Sequence, residues 1–200
     1  MKKSGILHNV RIVLWALVAV AAVAATYFTV VPRERSLDQG VAFYSTPFKL
    51  TNHDGAEVTQ SDFLGKPSAW FYGFTQCPEV CPTTLAEMSQ LLDALGPDAD
   101  KLNVVFVSVD PERDTVEVMK DYVAYFDQRI VGVTGELEAV SAMATARYVY
   151  FEKIPLDGGD YTMEHSANVQ LADADGYFFG TLDGEEPVET RLAKLRRLIE

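Results

Sequence analysis

The chain has 200 residues, with 17 Lys and Arg against 29 Asp and Glu, a net charge of −12. So acidic a surface repels phosphate backbones and argues against nucleic-acid binding, and a chain of this length buries a core without needing a disulfide scaffold. There are only two cysteines, Cys77 and Cys81, and they share one short stretch.

Lys2, Lys3 and Arg11 precede a charge-free run over 12–31, IVLWALVAVAAVAATYFTVV. Twenty residues at about 1.5 Å each match a bilayer core of about 30 Å. The basic flank makes 1–11 a cytoplasmic tail and puts the rest of the chain outside. A transmembrane anchor is therefore expected over 12–31. The alternative is a cleaved signal peptide, for which Ala22-Val23-Ala24 offers a small-x-small site, although its apolar region usually runs only about 7–15 residues. Either way the domain faces an oxidising compartment, where a disulfide can persist. Residues 32–46 read as a polar linker, leaving 47–200 as the folded domain.

Phe48-Lys-Leu and Glu57-Val58 flank Asp54-Gly55, a hairpin signal. Ser68–Phe74 is a nearly continuous apolar run, as in a buried strand of a parallel sheet. Leu85, Met88, Leu91, Leu92 and Leu95 recur at helical spacing until Gly96-Pro97. Asn103–Val109 is a second buried strand. Asp114-x-x-Glu117 is a capping pattern before a helix with Val116, Met119, Val123 and Phe126 on one face. A short strand near Ile130–Val133 precedes a helix with Leu137, Val140 and Ala144. Ser166–Leu171 and Tyr177–Thr181 flank Asp173-Ala-Asp-Gly176 as a second hairpin, and Pro187–Ile199 is a last helix with Val188, Leu192, Leu195 and Ile199 inward. Alternating strands and helices give an α/β domain with a mixed central sheet.

The stretch GFTQCPEVCPTTL, residues 73–85, links a buried strand to a helix, where α/β domains carry their sites. Pro82 suits the first helical position. Cys81 then sits at or beside the N-cap, where the helix dipole is expected to pull its pKa below about 8.5. Three residues between the sulfurs leave room for both to hold one metal ion, and the same pair can close as a disulfide. A third ligand has three candidates. His8 precedes the apolar run, and His53 lies in the first hairpin turn. His165 lies just before the strand Ser166–Leu171. Taken alone His165 reads as a polar group at a strand end, but in a thioredoxin-like arrangement the segment entering this strand passes beside the cysteine loop. Two thiolates and one imidazole form a soft, low-coordination set that suits Cu(I), and Cu(II) with an added weak ligand. Structural zinc would want four ligands.

Together GFTQCPEVCPTTLAEM (73–88), VFVSVDPERDT (105–115), VGVTG (131–135) and DYTMEHSANVQLADADG (160–176) resemble the Sco family of copper chaperones for cytochrome c oxidase assembly. The resemblance implies a thioredoxin-like fold with a mixed central sheet, preceded by one N-terminal transmembrane helix. It implies copper ligands at Cys77, Cys81 and His165, with Cys77 and Cys81 as a redox pair. The implied partners are the copper-site subunit of the oxidase, an upstream copper donor and a thioredoxin-like periplasmic reductant. The implied location is a bacterial inner membrane, single-pass, with the domain in the periplasm. Gln76 stands where the family often has His, and Glu79 and Glu164 where it usually has Asp; none is a ligand position. The segment 110–115 reads as a strand-end turn plus a helix cap. Two functions compete: a metallochaperone, and a thiol–disulfide oxidoreductase that reduces the cysteines of the oxidase copper site. A peroxidase of the peroxiredoxin kind would need a Pro-x-x-x-Thr-x-x-Cys loop, and none precedes Cys77.

Overall fold

The computed structural model describes residues 43–200 together with Arg11, Leu14, Trp15 and Val18. Apart from those four positions and 43–46, the expected tail over 1–11, anchor over 12–31 and linker over 32–46 lie outside the described residues. Among the described residues no helix is long and apolar enough to cross a membrane.

The fold is mixed α/β. The chain runs through β1 (Lys49–Asn52), β2 (Glu57–Thr59), β3 (Ser68–Gly73), α1 (Val80–Leu95), β4 (Asn103–Ser108), α2 (Val116–Phe126), β5 (Ile130–Thr134), α3 (Leu137–Ala146), β6 (Phe151–Pro155), β7 (Tyr161–His165), β8 (Val169–Ala172), β9 (Phe178–Leu182) and α4 (Val188–Leu198). Seven strands form one sheet in the order β2-β1-β5-β4-β3-β8-β9. The pairs β3–β4 and β4–β5 are parallel and the others antiparallel, so the sheet is mixed as expected. Every residue of β3 is buried, and all of β4 except Asn103, as central strands covered on both faces must be. The first turn closes on Asn52, whose Oδ1 accepts from the backbone N–H groups of Asp54 and Ala56, and Gly55 there adopts a φ of 82° that other residues rarely take.

The sequence reading departs from the structure in several places. Phe43 and Tyr44, read as linker, pack on Trp70: Phe43 is buried, and the Tyr44 hydroxyl lies 2.7 Å from Ser68 Oγ. The helix cap of α2 is Thr115, whose Oγ1 accepts from Val118 N–H. Asp114, expected to cap, is fully buried under the sheet end instead, so the helix starts one residue later than the capping pattern suggests. In α4, Leu195 is buried and Leu192 and Ile199 pack against the core as expected, but Val188 is 48 % exposed, and Arg191 and Leu198 are buried as well. Arg191 donates to Glu87 of α1 at 2.6 Å, which brings a charged side chain into the contact. Residues 147–165, which carried no element in the sequence reading, form β6 and β7, a separate two-stranded antiparallel sheet whose register runs from Phe151↔His165 to Pro155↔Tyr161. His165 is thus the last residue of a strand and not part of a loop.

Candidate metal centre

The site forms where the parallel strands β3 and β4 end. Val109 N–H donates to Gly73 O at 2.8 Å and locks the two strand ends together. The chain then leaves the sheet through Phe74 and enters α1. Glu79 is the helix N-cap, so Cys81 is the second helical residue and Pro82 the third. The helix begins two residues earlier than Pro82 suggested, and a proline in the first turn still lacks only an N–H that would have no intrahelical partner. Gly73 has no side chain for a steric reason. A Cβ there would lie 2.6 Å from Cys81 Sγ and 2.9 Å from the Phe106 ring.

Cys81 is fully buried and Cys77 half-buried, and neither is in a disulfide. Cys81 N–H donates to Cys77 Sγ at 3.3 Å. His165 Nε2 lies 3.4 Å from Cys81 Sγ. The sulfurs of Cys77 and Cys81 and a ring nitrogen of His165 all fall within 4.8 Å of one another, the one such grouping among the described residues. The other ring nitrogen, Nδ1, is 3.0 Å from the Ser166 carbonyl. A carbonyl only accepts, so Nδ1 donates to it, and Nε2 is the ring nitrogen that faces the sulfurs, as in a metal-binding imidazole whose other nitrogen is held by a carbonyl. The Phe71 and Phe74 rings meet the His165 ring edge-on and hold its plane. The cluster opens into a cavity of about 290 Å³ between the cysteine loop and the β6–β7 hairpin.

The two thiols differ in the direction opposite to the sequence expectation. Cys77, not Cys81, has the depressed pKa, brought down to about 4 because hydrogen bonds from the Cys81 side chain, then the His165 side chain, then the backbone N–H groups of Cys81 and Glu79 outweigh its partial burial. Cys81 is pushed up, first by its hydrogen bond to Cys77 and then by burial. The amides at the start of α1 point at the sulfur that precedes the helix, and the cysteine inside the helix is walled off from water.

Asp114 lies beneath the loop. Its carboxylate accepts from Thr75 N–H, Thr75 Oγ1 and Ser108 Oγ at 3.1, 2.6 and 2.6 Å, and burial raises its pKa. Arg113 reaches Gln76 and Tyr161 and does not line the metal cavity. His53 accepts from Gly132 N–H through Nδ1 at 2.9 Å, a structural role, and His8 lies outside the described residues. Two thiols and one imidazole, with no fourth His, Cys, Asp or Glu in the group among the described residues, fit a soft, low-coordinate ion such as copper and fall short of a structural zinc site.

The family model described as SCO1/SenC matches residues 37–200. The mitochondrial SCO1 homologue of Homo sapiens is 39 % identical over 152 residues, covering 73 % of this chain and 50 % of that protein. The mitochondrial SCO1 homologue 1 of Arabidopsis thaliana is 36 % identical over 133 residues, covering 66 % and 40 %. The chain spans about half the length of the curated relatives it matches. Among solved structures, Bradyrhizobium japonicum ScoI with copper bound is 44 % identical with a TM-score of 0.72, covering 76 % of this chain and 98 % of that one. Yeast Sco1 with copper bound is 32 % identical with a TM-score of 0.70, covering 76 % and 86 %.

Proposed function

The chain belongs to the SCO1/SenC family, and from that premise we propose that it is a membrane-anchored copper metallochaperone that delivers copper to the binuclear site of cytochrome c oxidase during assembly. The observation that carries this reading is the cluster of three soft donors, Cys77, Cys81 and His165, within 4.8 Å at the mouth of a cavity. Cys77 offers a thiolate before any metal arrives, because its pKa is already about 4. Cys81 keeps its proton until the metal displaces it, so uptake releases a proton from the buried sulfur. Cu(I) is held by the two sulfurs, and Cu(II) recruits His165 as its nitrogen ligand. Handover proceeds by ligand exchange: half-buried Cys77 is the sulfur an acceptor's own ligand can approach, while Cys81 and His165 hold the ion until replaced.

In this reading residues 1–11 are a cytoplasmic tail, 12–31 the anchor, 32–46 the linker, and 47–200 a thioredoxin-like copper-binding domain in the periplasm of a bacterium. An upstream donor loads it, the copper-site subunit of the oxidase receives the ion, and a thioredoxin-like reductant keeps the thiols open.

The test uses the full-length protein, reduced and in detergent. One copper ion per chain is expected, with transfer to a soluble binuclear-copper subunit and no uptake after Cys77 and Cys81 are oxidised to a disulfide. A reduced protein that takes up no copper would sink the reading.

One observation favours a second reading, thiol–disulfide oxidoreductase. Cys77 is an accessible thiolate with a buried second thiol beside it. Its sulfur would attack a disulfide of the partner and release one thiolate. Cys81 would then close on Cys77, releasing the second thiolate and leaving the partner reduced and this chain oxidised. A reductant of the thioredoxin kind must then reopen the pair. This chemistry has no use for His165, so retention of function in His165→Ala would favour it.

A further inference from the structure

His165 is delivered by the small β6–β7 sheet, which is not hydrogen-bonded into the main sheet. A two-stranded hairpin is marginal by itself, so its position over the cysteine loop depends on what holds it to the body. Along β7 the residues Tyr161, Met163 and His165 share one face. His165 meets Cys81 at one end, Met163 is buried in the middle, and Tyr161, about 13 Å away along the strand, meets Arg113 at the other.

Arg113 joins the two walls of the site. Its Nη1 donates to Tyr161 O and to Gln76 Oε1, each at 3.0 Å. Gln76 is the neighbour of Cys77, and Tyr161 opens β7. The guanidinium lies 3.7 Å from the centre of the Tyr161 ring and 5.9 Å from that of Phe74, the ring that abuts His165. Asp110 holds Arg113 through Nε and also accepts from the Tyr161 hydroxyl at 2.9 Å. The arginine side chain is 16 % exposed, and its Nη2 is buried without a partner. A solvated surface pair would not bury and strand a polar group in this way. The cavity beside it has Thr162, Met163 and His165 on the hairpin side and Phe74, Cys77 and Pro78 on the loop side. Arg113 fixes the separation of those walls without touching the space between them.

We propose that Arg113, seated on Asp110 and clasping Gln76 and Tyr161, is a positioning residue that sets the distance from the cysteine sulfurs to His165 and thereby the protein's preference between Cu(II) and Cu(I). This rests on the metal-binding reading of the same site. Cu(II) needs the imidazole, and Cu(I) is satisfied by the sulfurs, so loosening the hairpin weakens one ion more than the other. Lysine cannot replace the clasp, because a single ammonium lacks the planar fork that reaches two acceptors and stacks on a ring.

The experiment titrates Cu(II) and Cu(I), against competing chelators, into the full-length reduced protein in detergent, as wild type, Arg113→Ala, Arg113→Lys, His165→Ala and Arg113→Ala with His165→Ala. Arg113→Ala and Arg113→Lys are expected to lose roughly 10- to 100-fold in Cu(II) affinity, the usual cost of removing an outer-shell partner, and much less for Cu(I). In the His165→Ala background the arginine substitution should change Cu(II) affinity by less than about twofold, since coupled residues are not additive. An equal loss in both backgrounds, or none in either, overturns the proposal. Gln76→Ala, an exposed position that leaves the fold in place, should show a smaller loss of the same His165-dependent kind; wild-type behaviour there also counts against the clasp. A readout independent of copper is amide exchange over 161–165 in the metal-free protein, which should speed up in Arg113→Ala and Arg113→Lys. Unchanged exchange overturns the clasp whatever the copper titrations give, while faster exchange in a chain that binds no copper would overturn the metal reading and leave the clasp standing.

Discussion

Cys81 Sγ and His165 Nε2 lie 3.4 Å apart although 84 residues separate them in the chain. One comes from the first turn of α1 and the other from the end of β7, so this contact joins the small sheet to the main domain at the cysteine loop. Replacing His165 with Ala removes the ring nitrogen that faces the sulfurs and leaves the fold, since the ring is only partly buried. The expected outcome is a loss of roughly 10-fold or more in Cu(II) affinity with a smaller change for Cu(I). Competition titration with circular dichroism as the folding control measures it. Equal affinities for both ions in a folded variant would return His165 to a structural role.

The strands β3 and β4, helices α1 to α3 and both hairpins of the main sheet were legible because each obeys a local rule: a fully apolar run, a helical repeat, or a turn residue where a turn is needed. The three residues that the structure brings within 4.8 Å of one another, Cys77, Cys81 and His165, were legible as a group from the resemblance and from the scarcity of soft donors in the chain. The β6–β7 sheet was not. Phe151, Lys153 and Pro155 show no clean apolar alternation, because this hairpin buries little more than Met163 and is held by polar contacts to 110–113. Asp114 misled for a related reason. Its place in a capping pattern is a local signal, and its real partners, Thr75 and Ser108, come from other segments. The assignment of the low pKa failed because sequence gives the helix start to within about two residues, and that uncertainty decides which sulfur the first-turn amides face.

Gly73→Ala tests how closely the loop is packed. The added methyl would meet Cys81 Sγ at 2.6 Å and the Phe106 ring at 2.9 Å. Both neighbours are buried and neither can swing aside into solvent. Overpacking of this kind costs about 1–3 kcal/mol, and any relief moves the sulfur. The variant should lose stability in urea denaturation and also copper affinity, whereas a variant as stable as wild type with unchanged affinity would mean that the strand end has room to spare.

Arg147, like Arg191, is an arginine buried in the domain. It is 4 % exposed, lies 4.1 Å from the centre of the Phe43 ring and 4.3 Å from that of Trp70, and donates to the Tyr72 hydroxyl at 2.8 Å. Its role is packing of the aromatic cluster. Truncation to Ala leaves a cavity and an orphaned hydroxyl, and should cost about 3–5 kcal/mol. Arg147→Met keeps most of the volume and should cost about half as much. Thermal unfolding of the two variants decides the matter: equal losses would mean that charge and not volume holds the cluster.

Cys77 carries the sharpest pH signature. Its folded pKa, about 4, lies well below its ordinary value near 9, because the Cys81 side chain and the first-turn amides donate to the thiolate. The sign follows from proton counting. Between about pH 4 and pH 9 the unfolded chain binds a proton at Cys77 that the folded chain does not, so stability rises with pH across that window and is lost as pH falls through about 4. The difference in urea stability between reduced wild type and Cys77→Ser should therefore widen from pH 5 to pH 8. Alkylation gives the complementary reading. Cys77 should react with iodoacetamide almost as fast at pH 5.5 as at pH 8, because it is ionised at both, while fully buried Cys81 stays unmodified in the folded protein. Mass mapping of the labelled residue separates the two. A rate that climbs about tenfold per pH unit over that range, as for an ordinary thiol, or label found on Cys81 first, would assign the low pKa wrongly. Copper bound before alkylation should protect Cys77 at every pH in the range, since a metal-held sulfur is not free to attack.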